Sequence, residues 1–284
     1  MIRLDTASVL LQWSTGGLFF LWITTRRREV GLGYGWTMRI TYGILALIGL
    51  VVGLRYGTVL IREISLAGVL LANGFALFQS IRRKDVGVSG QRELAESRSD
   101  RVAAMTGIDR EAKAKASDGP EFDPRLDLVA PCIGLVGLVA AGISAGDPAW
   151  LQVARMVVGA AFLGAVTDAM LLGHWYLVQP GLKRGPLSEL VYWTGGLWFP
   201  EVILLLIPVG MVSVWNGTID DGYNGMLGWF WGACAVGTIG LVITTWAALK
   251  EKQYSAVMAA TGLLYLAILL AFGTDLVGRV LLAS

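Results

Sequence analysis

Histidine occurs once in this chain of 284 residues, at position 174, and cysteine twice, at 132 and 234. One histidine excludes a bis-histidine haem, and equally a two- or three-histidine metal site, built within the chain. A His–Met haem pair with Met156 or Met170 stays open, but nothing in the spacing singles one out, and no haem is expected to be held by this chain alone. Two cysteines, both inside apolar stretches, exclude a disulfide framework or a thiolate metal cluster and read as small packing residues. Charge is scarce as well. Asp, Glu, Lys and Arg make up 15% of the residues, against roughly 25% in a typical soluble domain. The net charge of +2 points to no nucleic-acid or acidic partner. No phosphate-binding glycine loop ending in Lys-Ser/Thr is found, and neither is Gly-x-Ser-x-Gly or Cys-x-x-Cys. Gly31-Leu32-Gly33-Tyr34-Gly35 has no strand before it and reads as a flexible connection.

What the chain has in abundance is apolar sequence, with a mean hydropathy of +0.62. Eight stretches are long enough to cross a bilayer: 7–25, 36–54, 58–80, 126–146, 150–178, 189–215, 226–249 and 254–278. A helix rises ~1.5 Å per residue, so a hydrocarbon core of ~30 Å takes roughly 20 apolar residues. The expected fold is an all-α integral membrane protein, a bundle of eight transmembrane helices. Arginines and lysines at 26–28, 82–84, 183–184, 250 and 252, with seven more between 92 and 125, fall in alternate connections. The opposite connections hold almost none: Gly146-Asp147-Pro148 carries one aspartate and 216–225 two. The positive-inside rule then sets both termini on the outer, periplasmic side, with the basic connections in the cytoplasm. Arg26-Arg27-Arg28 follow the first apolar run, the reverse of a cleavable signal peptide, so that run is expected to remain as a span. Asn216-Gly217-Thr218 matches a glycosylation sequon but lies too near the bilayer to weigh beyond chance. A bacterial plasma membrane is the expected setting.

One composition break divides the chain. Residues 1–80 hold three spans, 81–125 form a polar cytoplasmic segment, and 126–284 hold five spans. Within the polar segment, 91–116 carries good helix formers with apolar points at Leu94, Val102, Met105 and Ile108, before Asp118-Gly119-Pro120 stops any helix. A docked surface helix and a solvated linker are both consistent with this. Trp13-Ser14-Thr15-Gly16-Gly17-Leu18-Phe19-Phe20 is echoed by Tyr192-Trp193-Thr194-Gly195-Gly196-Leu197-Trp198-Phe199 on a span running the other way. That is the mark of an inverted repeat, if it is not chance. Glycines four apart (Gly49, Gly53 and Gly57; Gly142 and Gly146; Gly228 and Gly232) indicate close helix packing. Tryptophans near span ends read as an interfacial belt.

Ionisable groups within spans are expensive to bury and are therefore functional candidates. Arg39 is expected to snorkel to the cytoplasmic face, Arg62 and Glu63 to sit near the outer one, and Asp275 and Arg279 to form an i, i+4 ion pair near the outer surface. Asp168 and Glu201 flank the hairpin 179–186, and counting from it puts both roughly 15–18 Å deep on neighbouring antiparallel spans. Pro200 is expected to open the helix beside Glu201. The two acids form a candidate proton relay. Arg155 lies too far along its helix to be an evident partner. His174, with Trp175 and Tyr176 beside it near the cytoplasmic end of the fifth span, forms a candidate quinone-binding group. Two functions follow. The first is a membrane subunit of a respiratory electron-transfer complex with a quinone- or proton-handling pocket, docked to other membrane or cytoplasmic subunits. The alternative is a small secondary transporter with paired midplane carboxylates. A structural scaffold would leave both sites dry.

Overall fold

The computed structural model describes residues 5–93, 95–96, 119–179, 181–207 and 210–282, all of it helix and connection, with no strand among the described residues. Most of 91–116, expected as surface helix or linker, lies outside the described residues. The long helices are α1 (Thr6–Thr25), α2 (Leu32–Tyr56), α3 (Leu60–Arg82), α4 (Val129–Ala145), α5 (Ala149–Val178), α6 (Gly185–Leu206), α8 (Met226–Lys250) and α9 (Tyr254–Phe272). A short α7 (Gly210–Trp215) follows α6, a 3₁₀ turn (Pro124–Leu128) leads into α4, and a π turn (Gly273–Val277) joins α9 to α10 (Gly278–Leu281). Among the described residues seven helices are long and apolar enough to cross a membrane. The sixth long helix, α6, is not among them; it carries Ser188, Glu189, Thr194 and Glu201.

Local sequence explains where these helices start and stop. The Asp5 carboxylate accepts from the Ser8 backbone N–H at 2.8 Å, which caps α1. Gly146 ends α4, and Gly225 (φ +81°) lets the chain turn into α8. Contrary to expectation, α6 runs unbroken through Pro200. Neighbouring helices compensate for a proline in a membrane helix, because the freed carbonyl can find another partner. The interruption comes at Ile207, which is extended (φ −99°, ψ 149°). Pro208 follows it in the sequence, and the residue before a proline is driven away from helical conformation.

The basic connections meet at one end of the bundle. Glu189 takes both Arg26 and Arg27, Glu121 takes Arg28 and Arg92, and Lys183 reaches Glu29 at 3.5 Å. Arg184 donates to the carbonyls of Leu249, Glu251, Lys252 and Gln253 in the α8–α9 turn. At the other end, Arg62 is fully buried and binds Asp5, Glu63, Ser8 and the Gly57 carbonyl, joining the start of α1 to the α2–α3 turn.

Two helices occupy the centre. The apolar windows of α1 and α5 are 67% and 72% buried, against 33% for α2, α3, α8 and α9–α10. The outer helices turn Ile44, Val51, Leu71, Leu266 and Leu269 outward, which suits a lipid surroundings. α1 and α5 touch backbone to backbone. A Cβ on Gly16 would overlap the Ala160 carbonyl oxygen, and one on Gly164 would strike the Gly16 backbone. The echoed pair is placed differently: Gly195 has only Val242 near it at 3.3 Å, and nothing lies within 4 Å of a Cβ on Gly196. We expect Gly164→Ala to lower stability by about 1–3 kcal/mol, since a rigid backbone must move to admit the methyl group. Gly196→Ala should be neutral or slightly stabilising. Thermal unfolding of the purified variants in detergent measures both.

Candidate functional site

The α1–α5 seam carries a line of buried polar groups. At its middle, Asp168 on α5 is 0% exposed, and its Oδ1 accepts from the Tyr42 hydroxyl on α2. Tyr42 reaches it by crossing α1 where Gly17 has no side chain; a Cβ there would fall within the tyrosine ring. Among the described residues Asp168 Oδ2 has no hydrogen-bond partner. Toward the basic end, the buried Tyr34 hydroxyl lies near Thr24 without a well-formed hydrogen bond. Toward the other end, Trp13 Nε1 donates to Thr167 Oγ1 at 3.0 Å, and its ring packs edge-on to Phe272 at 4.6 Å.

Beyond Trp13 the seam opens into a second cluster, built from five elements. Arg279 on α10 pairs with Asp275 in the π turn (Nε to Oδ1, 2.7 Å) and donates to the Arg155 backbone carbonyl and to Met156 Sδ (3.3 Å) on α5. Gln12 on α1 donates to Asp275 Oδ1 at 3.4 Å. Glu201 on α6 is 1% exposed and faces Asp275 and Arg279, with Arg155 further off. Arg155 itself donates to the Leu204 and Ile207 carbonyls at 2.9 and 2.6 Å, satisfying the open end of α6. Gly159 makes room for the whole group: a Cβ there would overlap Arg279, Gln12 and Asp275. Among the described residues both Glu201 oxygens, Asp275 Oδ2 and Gln12 Oε1 have no hydrogen-bond donor. The π turn rearranges the backbone at Asp275, and the Trp231 indole donates to the Thr274 carbonyl at 2.9 Å.

Asp168 and Glu201 therefore have separate partners. Asp168 stands about 15 Å along α5 from its end at Val178, and Glu201 about 24 Å along α6 from its start at Gly185, so their depths differ. His174, Trp175 and Tyr176 also diverge, because consecutive helical residues point ~100° apart. His174 is exposed, with Nδ1 3.0 Å from the Tyr265 hydroxyl on α9. Trp175 Nε1 donates to Gln179 at 3.1 Å, and its ring meets Tyr34. Tyr176 is buried and donates to the Lys183 carbonyl. No group of three or more metal-binding His, Cys, Asp or Glu side chains is found among the described residues.

Asp275 and Arg279 do form the expected ion pair, but fully buried and joined to Glu201. Their i, i+4 spacing inside an apolar run was the available signal. Gln12, Tyr42 and Gly159 gave none. Arg39 does not snorkel. It is 1% exposed and bound bidentately by Asp127 at 2.8 and 2.7 Å, with the Phe122 ring 4.7 Å from its guanidinium. Comparison with family models, with curated proteins and with solved structures gives no match to this chain.

The Arg39–Asp127 pair yields a direct test. Asp127→Ala would leave a buried guanidinium uncompensated, and we expect it to destabilise the protein by about 3–5 kcal/mol. Replacing both residues with apolar ones should be far milder. Folded yield and melting temperature in detergent distinguish the two.

Proposed function

We propose that this chain is a small secondary transporter of the plasma membrane that moves protons along the α1–α5 seam. The observation that carries this reading is the line of buried polar groups from Thr24 and Tyr34, through Tyr42–Asp168 and Trp13–Thr167, to Glu201 and Asp275. Ionisable groups at such depth are expensive in a membrane and commonly mark ion or proton pathways. Eight crossings with both termini outside fit this reading, and the meeting of the basic connections at one end supports that orientation. Asp168, Glu201 and Asp275 are all closed off from solvent, so water must be admitted by movement. The break after α6 and the π turn before α10 are the irregular backbone where such movement can occur.

A thiol-labelling experiment tests this. In a background of Cys132→Ser and Cys234→Ala, Thr167→Cys and Thr274→Cys put a buried thiol one residue before Asp168 and Asp275. A membrane-impermeant maleimide applied to vesicles of either orientation should reach these positions from both sides. A seam that labels from neither side, in folded protein, would sink the transport reading.

A second reading, that of a membrane subunit of an electron-transfer complex docked to other subunits, is favoured by the His174–Tyr265 pair. Both side chains lie on the exposed helix surface toward the basic end, where a lipid-soluble quinone could accept a hydrogen bond. There His174→Ala should weaken binding of a short-chain ubiquinone analogue in titration and leave thiol labelling of the seam unchanged. Unaltered quinone affinity would discard it.

A further inference from the structure

In the second cluster, Glu201 is an acid without a donor among the described residues. Asp275 has Arg279 at 2.7 Å and Gln12 at 3.4 Å, whereas neither Glu201 oxygen has a hydrogen-bond partner among the described residues. The Arg155 guanidinium does not fill the gap, since its bonds go to the carbonyls of Leu204 and Ile207. Glu201 instead faces the Asp275 carboxyl, whose Oδ2 is equally without a partner. Two ionised carboxylates hold only acceptors, so their contact needs a hydrogen between them. Burying such acceptors without a donor is costly, and more so when the group is charged.

We infer that Glu201 is a proton-binding site: its carboxyl carries a proton and donates it to the Asp275 carboxylate, which is paired with Arg279. The charges then close locally. Asp275 and Arg279 neutralise each other, Glu201 is neutral, and Arg155 rests on the partial negative charge at the C-terminus of α6. Gln12 supports Asp275 from α1. Among the titratable groups facing Glu201 are Asp275, Arg279 and Arg155. A metal cation is the other way to join two carboxylates, but the packing opposes it. The space opened by Gly159 is filled by the Arg279 guanidinium, the Gln12 amide and Asp275 itself. The proton comes from water and returns to it, and no bond other than O–H is made or broken. In its use this site rests on the proton-transport reading; its occupancy stands on the geometry alone.

Infrared spectroscopy of the purified protein, exchanged between H₂O and D₂O, reads the carboxylic-acid carbonyl stretch directly. We expect a deuterium-sensitive band that Glu201→Gln removes and that Asp275→Asn shifts, because the acceptor changes from carboxylate to amide. Asp168→Asn should leave that band in place, which separates it from any signal of the other buried acid. The glutamine amide can donate where the acid did, so Glu201→Gln is expected to melt within a few degrees of the wild type. Should that variant fail to fold, the band shift in Asp275→Asn carries the test. A spectrum in which neither variant alters a carboxylic-acid band overturns the proposal. So does a band lost in Asp275→Asn but kept in Glu201→Gln. A melting temperature raised by sodium chloride over choline chloride in the wild type, and not in Glu201→Gln, would make the occupant a metal cation and overturn it too. A Glu201 band in a protein whose seam never labels would uphold the proton site while the transport reading falls.

Discussion

The close crossing of α1 and α5 governs this structure. In lipid, helices gain no hydrophobic stabilisation by associating, and packing must come from van der Waals contact and polar bonds. Gly16 against Ala160 and Gly164 lets the two backbones touch, which brings the polar side chains of both helices within reach of each other. Trp13 can then bind Thr167, and Gln12 can reach the Asp275 carboxylate beside Gly159. The neighbouring glycine has a separate task. Gly17 lets the Tyr42 ring pass beneath α1 to Asp168, so two adjacent residues without side chains set both the spacing of the seam and its central hydrogen bond.

Around that seam, buried arginines tie helices that the connections alone would leave independent. Arg39 joins α2 to the turn before α4, Arg62 joins α3 to the start of α1, Arg155 joins α5 to the end of α6, and Arg279 joins α10 to α5. Each guanidinium has several donors in a fixed plane, and each finds carboxylate or carbonyl acceptors on an element other than its own. A buried ion pair adds little net stability, but a wrong helix order would strand its charges in an apolar interior. The arrangement of helices is thereby specified as well as held.

Helix positions were legible in the sequence because length and hydropathy are local properties. The eight apolar stretches match the eight long helices to within a few residues at most ends. The exceptions have local causes. Proline at 200 drew attention through its neighbour Glu201, while the stronger stop lay at Ile207, where the following proline and the carbonyl-binding Arg155 act together. Candidate site residues were legible by type but not by company. Asp168 and Glu201 stood out as acids in apolar runs, yet their partners lie far off in sequence: Tyr42 for one and Asp275 for the other. Arg39 and Arg279 looked peripheral because distance from a span end was measured along one helix. A turn elsewhere in the chain can cover that end, as the segment bearing Phe122 and Asp127 covers Arg39.

Arg155 and Arg279 have a mechanical consequence. The side chain of Arg155 grips the terminal carbonyls of α6, while its backbone carbonyl receives the side chain of Arg279 from α10. Through one residue of the central helix, the ends of two peripheral helices are yoked together. Neither end can swing outward alone without stripping a guanidinium of its acceptors inside an apolar interior. Any opening on that side must therefore be a concerted stroke of both ends, or one that pivots about Arg155 and leaves its grip intact.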